Sequence, residues 1–227
     1  MQNLVIGIEG MVSAGKTSIC KELLKIIPNS IFIDGGNIYR GIVEAMIKSN
    51  FSLKENTALD PLEIMKQLDV EFKIENNITE IYISGNKIEN DEIQNAQNSV
   101  GVSQMASVAN NLALFKFAHD IINKYSQKYN VIVSARDLVD IYPEMSVHVF
   151  VTASLEERAK RRYNQYNGKY TMDEVYSMIE KRDMLHQESG FNKTFEKTIK
   201  VDVTDCKSAK ESAIIVMNNI NNFLERN

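Results

Sequence analysis

The most constraining feature of this chain is a pair of glycines near its N-terminus, followed directly by a lysine and a threonine. Gly10 and Gly15 enclose four residues, and Lys16 and Thr17 come next. Glycines at this spacing permit a tight loop whose backbone N–H groups turn inward around a phosphate. The motif follows an apolar run at 4–8 and precedes an amphipathic stretch. It therefore predicts a phosphate-binding loop between a strand and a helix.

The loop predicts a nucleotide site with defined roles for its residues. Lys16 would reach the β and γ phosphates, and the hydroxyl of Thr17 would bind Mg²⁺. A helix over 16–27 would point its positive end at the same site. The predicted nucleotide-binding residues are Gly10, Ser13, Ala14, Gly15, Lys16, Thr17 and Ser18.

Five short apolar runs, rich in valine and isoleucine, alternate with amphipathic stretches along the chain. They lie at 4–8, 30–34, 131–135, 147–153 and 198–203. Each run is too short for a helix, and strands that alternate with helices form a parallel sheet covered on both faces. The sequence therefore predicts an α/β fold with five parallel strands and a ligand at their C-terminal ends.

The pattern changes between the second and third runs. Segments at 70–74, 80–84 and 86–90 alternate apolar with polar residues and are separated by turns, which is typical of an antiparallel meander. Helical spacing follows at 98–129. We expect one domain over 1–227, with a core at 1–60 and 126–227 and an inserted region at about 61–125.

Composition narrows the class of protein. The net charge is −4, and the dense basic cluster at 158–162 is too short to indicate nucleic-acid binding. Cys20 and Cys206 lie far apart without metal-ligand spacing, which fits a reducing compartment. The sequence shows neither a signal peptide nor 18 consecutive apolar residues. We expect a cytoplasmic protein that binds small molecules rather than nucleic acid or membranes.

A phosphate loop alone does not separate a GTPase from a small-molecule kinase. The segments at 123–126 and 192–195 lack the aspartate of a guanine-selecting motif, and 34–37 lacks the glycine of Asp-x-x-Gly. A kinase needs arginines that close over the transferring phosphoryl group. Arg158 and Arg162 lie one turn apart on a predicted helix, and Arg182 follows on a second helix. They favour a helical lid at about 156–183, against the alternative of a solvated helix face.

Several stretches together resemble the bacterial cytidylate kinase family, which are P-loop nucleoside monophosphate kinases. Besides the phosphate loop, they are IDGGNIYRG (33–41), IYISGNKIENDEIQ (81–94), SVGVSQMASVA (99–109), SARD with the later YP (134–143) and VTASLEERAKRR (151–162). They are collinear and cover most of the chain. The resemblance implies a monomeric enzyme in which ATP·Mg²⁺ donates its γ-phosphoryl group to CMP or dCMP.

The resemblance also implies residue roles. The implied catalytic residues are Lys16, Arg158, Arg162 and Arg182. The implied acceptor-binding residues are Asp34, Arg40, Ser103, Arg136 and Asp137. Among these, Arg40 and Arg136 match positions for the acceptor phosphate, and Ser103 and Asp137 match positions that contact cytosine. Asp34 would orient the acceptor phosphate or hold Mg²⁺ through water. Simpler roles stay open: a local ion pair for Arg136 and Asp137, and caps for Ser103 and Asp34.

The chain departs from the family pattern almost entirely on the acceptor side. Expected polar contacts are replaced at Gln94, Leu112, His186 and Ser189, and Gly35–Gly36 lacks a hydroxyl. The donor motif is intact. Two further hypotheses therefore remain: a P-loop kinase that phosphorylates a nucleoside or another hydroxyl metabolite, and a regulatory protein that binds nucleotide without phosphoryl transfer.

Overall fold

A computed structural model describes residues 3–50, 61–95, 97–98, 101–102, 111–188 and 193–226. Its strands are β1 (Val5–Gly10), β2 (Ser30–Asp34), β3 (Val70–Glu75), β4 (Ile78–Ile83), β5 (Asn86–Ile88), β6 (Asn130–Ser134), β7 (Val147–Thr152) and β8 (Ile199–Asp202). Its helices are α1 (Lys16–Ile26), α2 (Gly35–Lys48), α3 (Pro61–Gln67), α4 (Asn90–Ile93), α5 (Asn111–Ser126), α6 (Leu138–Ile141), α7 (Leu155–Gln165), α8 (Met172–Glu188) and α9 (Ala209–Leu224).

The strands form one sheet in the order β3-β4-β2-β6-β1-β7-β8, with β5 paired to β4. The five strands predicted from the apolar runs are adjacent and parallel, so the predicted α/β fold is confirmed. The described sheet has eight strands rather than five, because the meander extends it. Phe32 in β2 pairs in parallel with Ile78 in β4, and the N–H of Phe32 donates to the carbonyl of Asn77 at 2.7 Å.

Apolar residues cover both faces of the sheet, as parallel strands require. On one face Ile31, Ile33 and Val131 pack with residues of α2, α5 and α6. On the other face Ile6 and Ile132 pack with residues of α1 and α9. Successive residues of one strand thus pack into different cores. The C-terminal ends of the strands therefore lie between two layers of helices.

Helices α7 and α8 form a small unit with an apolar cluster of its own. Val12 of the phosphate loop packs there with Ala159 of α7 and with Val175 and Ile179 of α8. The turn between the helices contains Gly168 at φ 80°. This pair of helices occupies the region predicted as a lid. Among the described residues, no helix is both long and apolar enough to cross a membrane.

Candidate active site

A cleft of about 1080 Å³ opens where β1, β2 and β6 end. One side consists of the phosphate loop, helix α7 and the segment 204–209. The other consists of the start of α2, the segment 134–137 and apolar side chains of α5 and α6. The predicted nucleotide-binding residues and, apart from Ser103, which lies outside the described residues, the predicted acceptor-binding residues therefore line one continuous cavity.

The backbone of the phosphate loop depends on its glycines. Gly10 and Gly15 have φ values of 147° and 90°. A residue with a side chain is strained at such positive φ values, whereas glycine is not. A Cβ added at Gly10 would collide with the backbone of Val151. Gly15 is the N-cap of α1 and offers no side-chain cap, so the first N–H groups of the helix remain available to an anion. The predicted nucleotide-binding residues all line the cleft.

Lys16 reaches back across the loop. Its Nζ donates to the carbonyls of Gly10 at 2.8 Å and Met11 at 2.9 Å. Burial of the ammonium, followed by the charges of Arg136 and Arg182 among other causes, lowers the pKa of Lys16 to about 8. A bound phosphate would raise this pKa, because it would supply the opposite charge that the ammonium needs.

Five arginines of the described residues line the cleft together with Lys16: Arg40, Arg136, Arg161, Arg162 and Arg182. Desolvation lowers the pKa of Arg136, and the charges of Arg182 and Arg40 lower it further. Desolvation and the charges of Arg162 and Arg40 likewise lower the pKa of Arg182. These side chains come from different parts of the chain and repel one another electrostatically. Such a site favours a ligand that carries several negative charges.

Asp34 has the capping role that the sequence left open and also lines the cleft. Its Oδ1 accepts the N–H of Asn37 at 3.1 Å at the start of α2. Burial raises the pKa of Asp34, while the Asn37 hydrogen bond and the charge of Arg40 oppose that shift. Thr17 is exposed at the start of α1 and lines the same cleft. A hydroxyl and a carboxylate are oxygen donors of the kind that Mg²⁺ prefers.

Asp137 lies in the left-handed region at φ 57°, at the N-cap of α6. Burial, followed by the charge of Glu9, raises its pKa to about 6. For Arg136, the effect of Asp137 is smaller than those of burial and the neighbouring arginines. The local ion pair with Asp137, which the sequence left open, is therefore not the main influence on the pKa of Arg136.

Sequence reasoning missed a buried polar network behind this loop. Glu9 is 2% exposed, and its Oε1 accepts the N–H of Leu138 at 2.9 Å. Its Oε2 lies 3.0 Å from Nε2 of His148, whose Nδ1 lies 2.9 Å from the hydroxyl of Thr198. Glu9 thus connects the start of the phosphate loop to the residue after Asp137. The sequence signal for this network was a glutamate inside an otherwise apolar strand.

Arg158, predicted as a catalytic residue, lies apart from the cleft. Its side chain is 3% exposed and does not line the cleft. Its Nε donates to the carbonyl of Ala153 at 2.9 Å, and its Nη1 donates to the carbonyl of Val12 at 3.0 Å and to Asp183 at 2.6 Å. The guanidinium is held by these acceptors, which fits a structural role.

The neighbouring arginines of α7 do line the cleft. Arg162 donates to Gln165 at 3.1 Å and lies over the ring of Tyr166. Arg161, which was not predicted as a site residue, donates to the carbonyls of Val203 at 2.7 Å and Ala14 at 3.4 Å. It therefore connects α7 to the phosphate loop and to the segment after β8.

An amide cluster occupies part of the acceptor side. Gln94 donates to Oδ1 of Asn37 at 3.3 Å, and Asn37 donates to Asn90 at 2.8 Å. Arg40 also approaches Oδ1 of Asn37 at 3.5 Å. Ser103 and Ser189 lie outside the described residues, as do the side chains of Leu112 and His186. Gln94 stands where the family pattern has an arginine, so the side chains of this cluster beside Arg40 are neutral amides.

A cleft of this kind can hold a nucleoside triphosphate at one end and a phosphate acceptor at the other, which makes the chain a P-loop kinase. A family model described as cytidylate kinase matches residues 6–224. The chain belongs to the cytidylate kinase family, and the resemblance seen in the sequence is confirmed.

Individual relatives agree with the family model. The cytidylate kinase of Clostridioides difficile (strain 630) is 31% identical over 195 residues, which cover 84% of this chain and 85% of that protein. The cytidylate kinase of Caldanaerobacter subterraneus subsp. tengcongensis is 31% identical over 213 residues, with 88% and 87% covered. The crystal structure of a gluconokinase from Sinorhizobium meliloti 1021 shares the fold, with a TM-score of 0.50, 12% identity and coverage of 99% and 95%.

Proposed function

We propose that this protein transfers the γ-phosphoryl group of ATP to CMP or dCMP. The carrying observation is the convergence of Lys16 with Arg40, Arg136, Arg162 and Arg182 on one cleft. Phosphoryl transfer spreads negative charge over several oxygens, so positioned cations provide most of the catalysis. Family membership supports cytidine nucleotides as the acceptors.

The residues divide into two groups along the cleft. On the donor side, Lys16 would bind the β and γ phosphates, and Arg162 and Arg182 would stabilise the charge of the transferring group. On the acceptor side, Arg40 and Arg136 would bind the acceptor phosphate with bidentate guanidinium contacts.

The base and the metal ion would use carboxylates and a hydroxyl. The ionised form of Asp137 would accept a hydrogen bond from the exocyclic amine of cytosine. Thr17 would ligate Mg²⁺ directly, and Asp34 would hold it through water. Mg²⁺ would neutralise phosphate charge in the transition state. Ser103 remains a candidate contact to the base.

A second candidate function is phosphorylation of a different acceptor, such as a nucleoside. The observation that favours it is the neutral cluster of Asn37, Asn90 and Gln94. Amides can bind hydroxyl groups, whereas an arginine in their place would favour a phosphate. A regulatory nucleotide-binding protein fits the site less well, because simple binding does not require arginines on both sides of the cleft.

The test is a turnover assay of purified protein with ATP·Mg²⁺ against a panel of nucleoside monophosphates and nucleosides. Turnover of CMP or dCMP, lowered by about 100-fold to 1000-fold in Lys16→Ala, is the expected result. Absence of turnover with both would refute the proposal. A thermal-shift screen complements the assay, because an acceptor at 100 times its Kd stabilises the protein by about 2.7 kcal/mol. Stabilisation by nucleosides alone would favour the second candidate.

We further propose that the protein acts as a cytoplasmic monomer. Both cysteines, Cys20 and Cys206, are buried free thiols, which suits a reducing compartment. Burial raises the pKa of the Cys20 thiol above its ordinary range, so this cysteine is not a reactive thiolate at neutral pH. Light scattering at assay concentrations would test the oligomeric state.

A further inference from the structure

The buried ion pair between Arg158 and Asp183 connects three parts of the protein. Through Arg158 it reaches the carbonyl of Val12 in the phosphate loop and the carbonyl of Ala153 just after β7. Asp183 belongs to α8, the second helix of the predicted lid. Within the described part of the chain, this ion pair joins α8 to α7, and the other hydrogen bonds of Arg158 extend the connection to the phosphate loop and to the residue after β7.

The geometry of the pair restrains α8 strongly. The side chain of Arg158 is 3% exposed and that of Asp183 is 19% exposed, with Nη1 and Oδ2 2.6 Å apart. The other oxygen of Asp183, Oδ1, is buried without a hydrogen-bond partner among the described atoms. A carboxylate that is largely buried depends on the guanidinium it has, because an unpaired buried charge costs several kcal/mol.

Arg182 immediately precedes Asp183 on α8 and lines the cleft. It experiences the positive charges of Arg162 and Arg40, which lower its pKa in addition to desolvation. These neighbours repel Arg182 in the absence of an anionic ligand. Because the ion pair holds the residue next to Arg182, it fixes the rotation of α8 about its axis and its position along that axis. It thereby fixes the position of the Arg182 backbone.

We propose that Arg158 and Asp183 are positioning residues, which hold Arg182 at the site of phosphoryl transfer by tying α8 to the phosphate loop. The proposal rests on the proposed function, because it assigns Arg182 to the transition state. Neither residue contacts the reacting atoms. Their loss should therefore lower kcat while the KM for ATP changes little.

The test is a double-mutant cycle between Asp183 and Arg182. We expect Asp183→Ala to lower kcat by about 100-fold, the effect of a small misplacement of a catalytic group. We expect the double variant Arg182→Ala/Asp183→Ala to have the kcat of Arg182→Ala alone, since Asp183 acts through Arg182. Independent, multiplicative losses in the double variant would overturn the proposal.

Two further variants separate positioning from loss of folding or of charge. Asp183→Asn keeps an oxygen that accepts from Arg158, so it should recover most of the kcat lost in Asp183→Ala. Glu180→Ala removes a negative charge from an exposed position of the same helix and should leave kcat unchanged. A loss in Glu180→Ala equal to that in Asp183→Ala would contradict the proposal.

The proposed function and the positioning role fail in different ways. A wild-type protein that phosphorylates neither CMP nor dCMP refutes the proposed function, and the same cycle is then measured on the acceptor found in the panel. An active wild type with a multiplicative cycle refutes the positioning role only. Asp183→Ala should lower the Tm, because it leaves Arg158 buried without its carboxylate, so kcat is measured well below that Tm. An ADP affinity near wild type then shows that the donor site is intact, and a loss of ADP affinity as large as the loss of kcat would contradict the positioning role.

Discussion

Replacement of Glu9 by glutamine should reveal how the phosphate loop is coupled to the acceptor site. The carboxylate accepts the N–H of Leu138 at 2.9 Å and lies 3.0 Å from Nε2 of His148. A glutamine amide has one oxygen and one NH₂ group, so it can accept from only one of these partners through its oxygen. The NH₂ group would then face Nε2 of His148. It either meets an N–H there or donates to the other tautomer of the ring, whose Nδ1–H no longer accepts from the Thr198 hydroxyl, so one buried donor loses its acceptor in both cases.

The structural cost of Glu9→Gln can be estimated from that lost contact. A buried donor without an acceptor costs about 1–3 kcal/mol. In a domain of this size, about 2 kcal/mol corresponds to a decrease in Tm of about 4–8 °C. Differential scanning calorimetry would measure the change. A Tm equal to that of wild type would show that the buried network does not stabilise the fold.

The functional effect of Glu9→Gln should appear at Asp137. Burial and the charge of Glu9 raise the pKa of Asp137 to about 6. If ionised Asp137 accepts from the cytosine amine, CMP binding weakens as the pH falls through that value. The ionised fraction changes about tenfold between pH 7 and pH 5. Removing the charge of Glu9 lowers the pKa of Asp137, so the transition should move to lower pH.

The assay is the KM for CMP between pH 5 and pH 8 in wild type, Glu9→Gln and Asp137→Asn. The nucleotide phosphate titrates in the same range, and Asp137→Asn reports that contribution because its side chain has no charge. An identical pH profile in wild type and Asp137→Asn would refute the assigned role of Asp137. An unshifted profile in Glu9→Gln would refute the electrostatic coupling to Glu9.

Three other substitutions test individual parts of the cleft. Gly10→Ala should abolish ATP binding, measured by calorimetry, because the added Cβ meets the backbone of Val151. Lys25→Ala, at an exposed position of α1 outside the cleft lining, is the control, and ATP affinity retained in Gly10→Ala would contradict the role given to the tight loop. Lys16→Ala should lower kcat by about 100-fold to 1000-fold, which is the effect of losing one group that stabilises the charge of the transition state. Turnover near that of wild type would exclude Lys16 from catalysis. Arg136→Ala should raise the KM for CMP with little change for ATP, and the reverse pattern would place Arg136 on the donor side.

Local sequence patterns predicted the parallel core and the phosphate loop well. The strand predicted at 30–34 is observed as Ser30–Asp34, and the run at 147–153 as Val147–Thr152. Short valine-rich and isoleucine-rich runs with buried faces leave few alternatives to a strand. The meander segments were also recognised, but their addition to the main sheet was not. That pairing joins Phe32 of β2 to Ile78 of β4, residues that are distant in the chain, and no local pattern specifies it.

Charge patterns on a helix were less informative than the strand patterns. Arg158 and Arg162 share a face of α7 by spacing, yet one is buried against Asp183 and the other lines the cleft. The difference arises because α8 and the phosphate loop pack over one end of that face. Glu9 likewise looked like an interruption in an apolar run, and its partners come from distant strands and helices.

The sequence by itself determined the phosphate loop, because its glycines, lysine and hydroxyl act within eight neighbouring residues and their geometry is local. Only the tertiary structure decided which arginines line the cleft and which one joins α7 to α8 in the interior. Arg158 and Val12 are 146 positions apart in the chain, and Glu9 and Leu138 are 129 apart. Contacts at such separations depend on how the layers pack, and packing alone places one guanidinium in the interior and another in the active-site cleft.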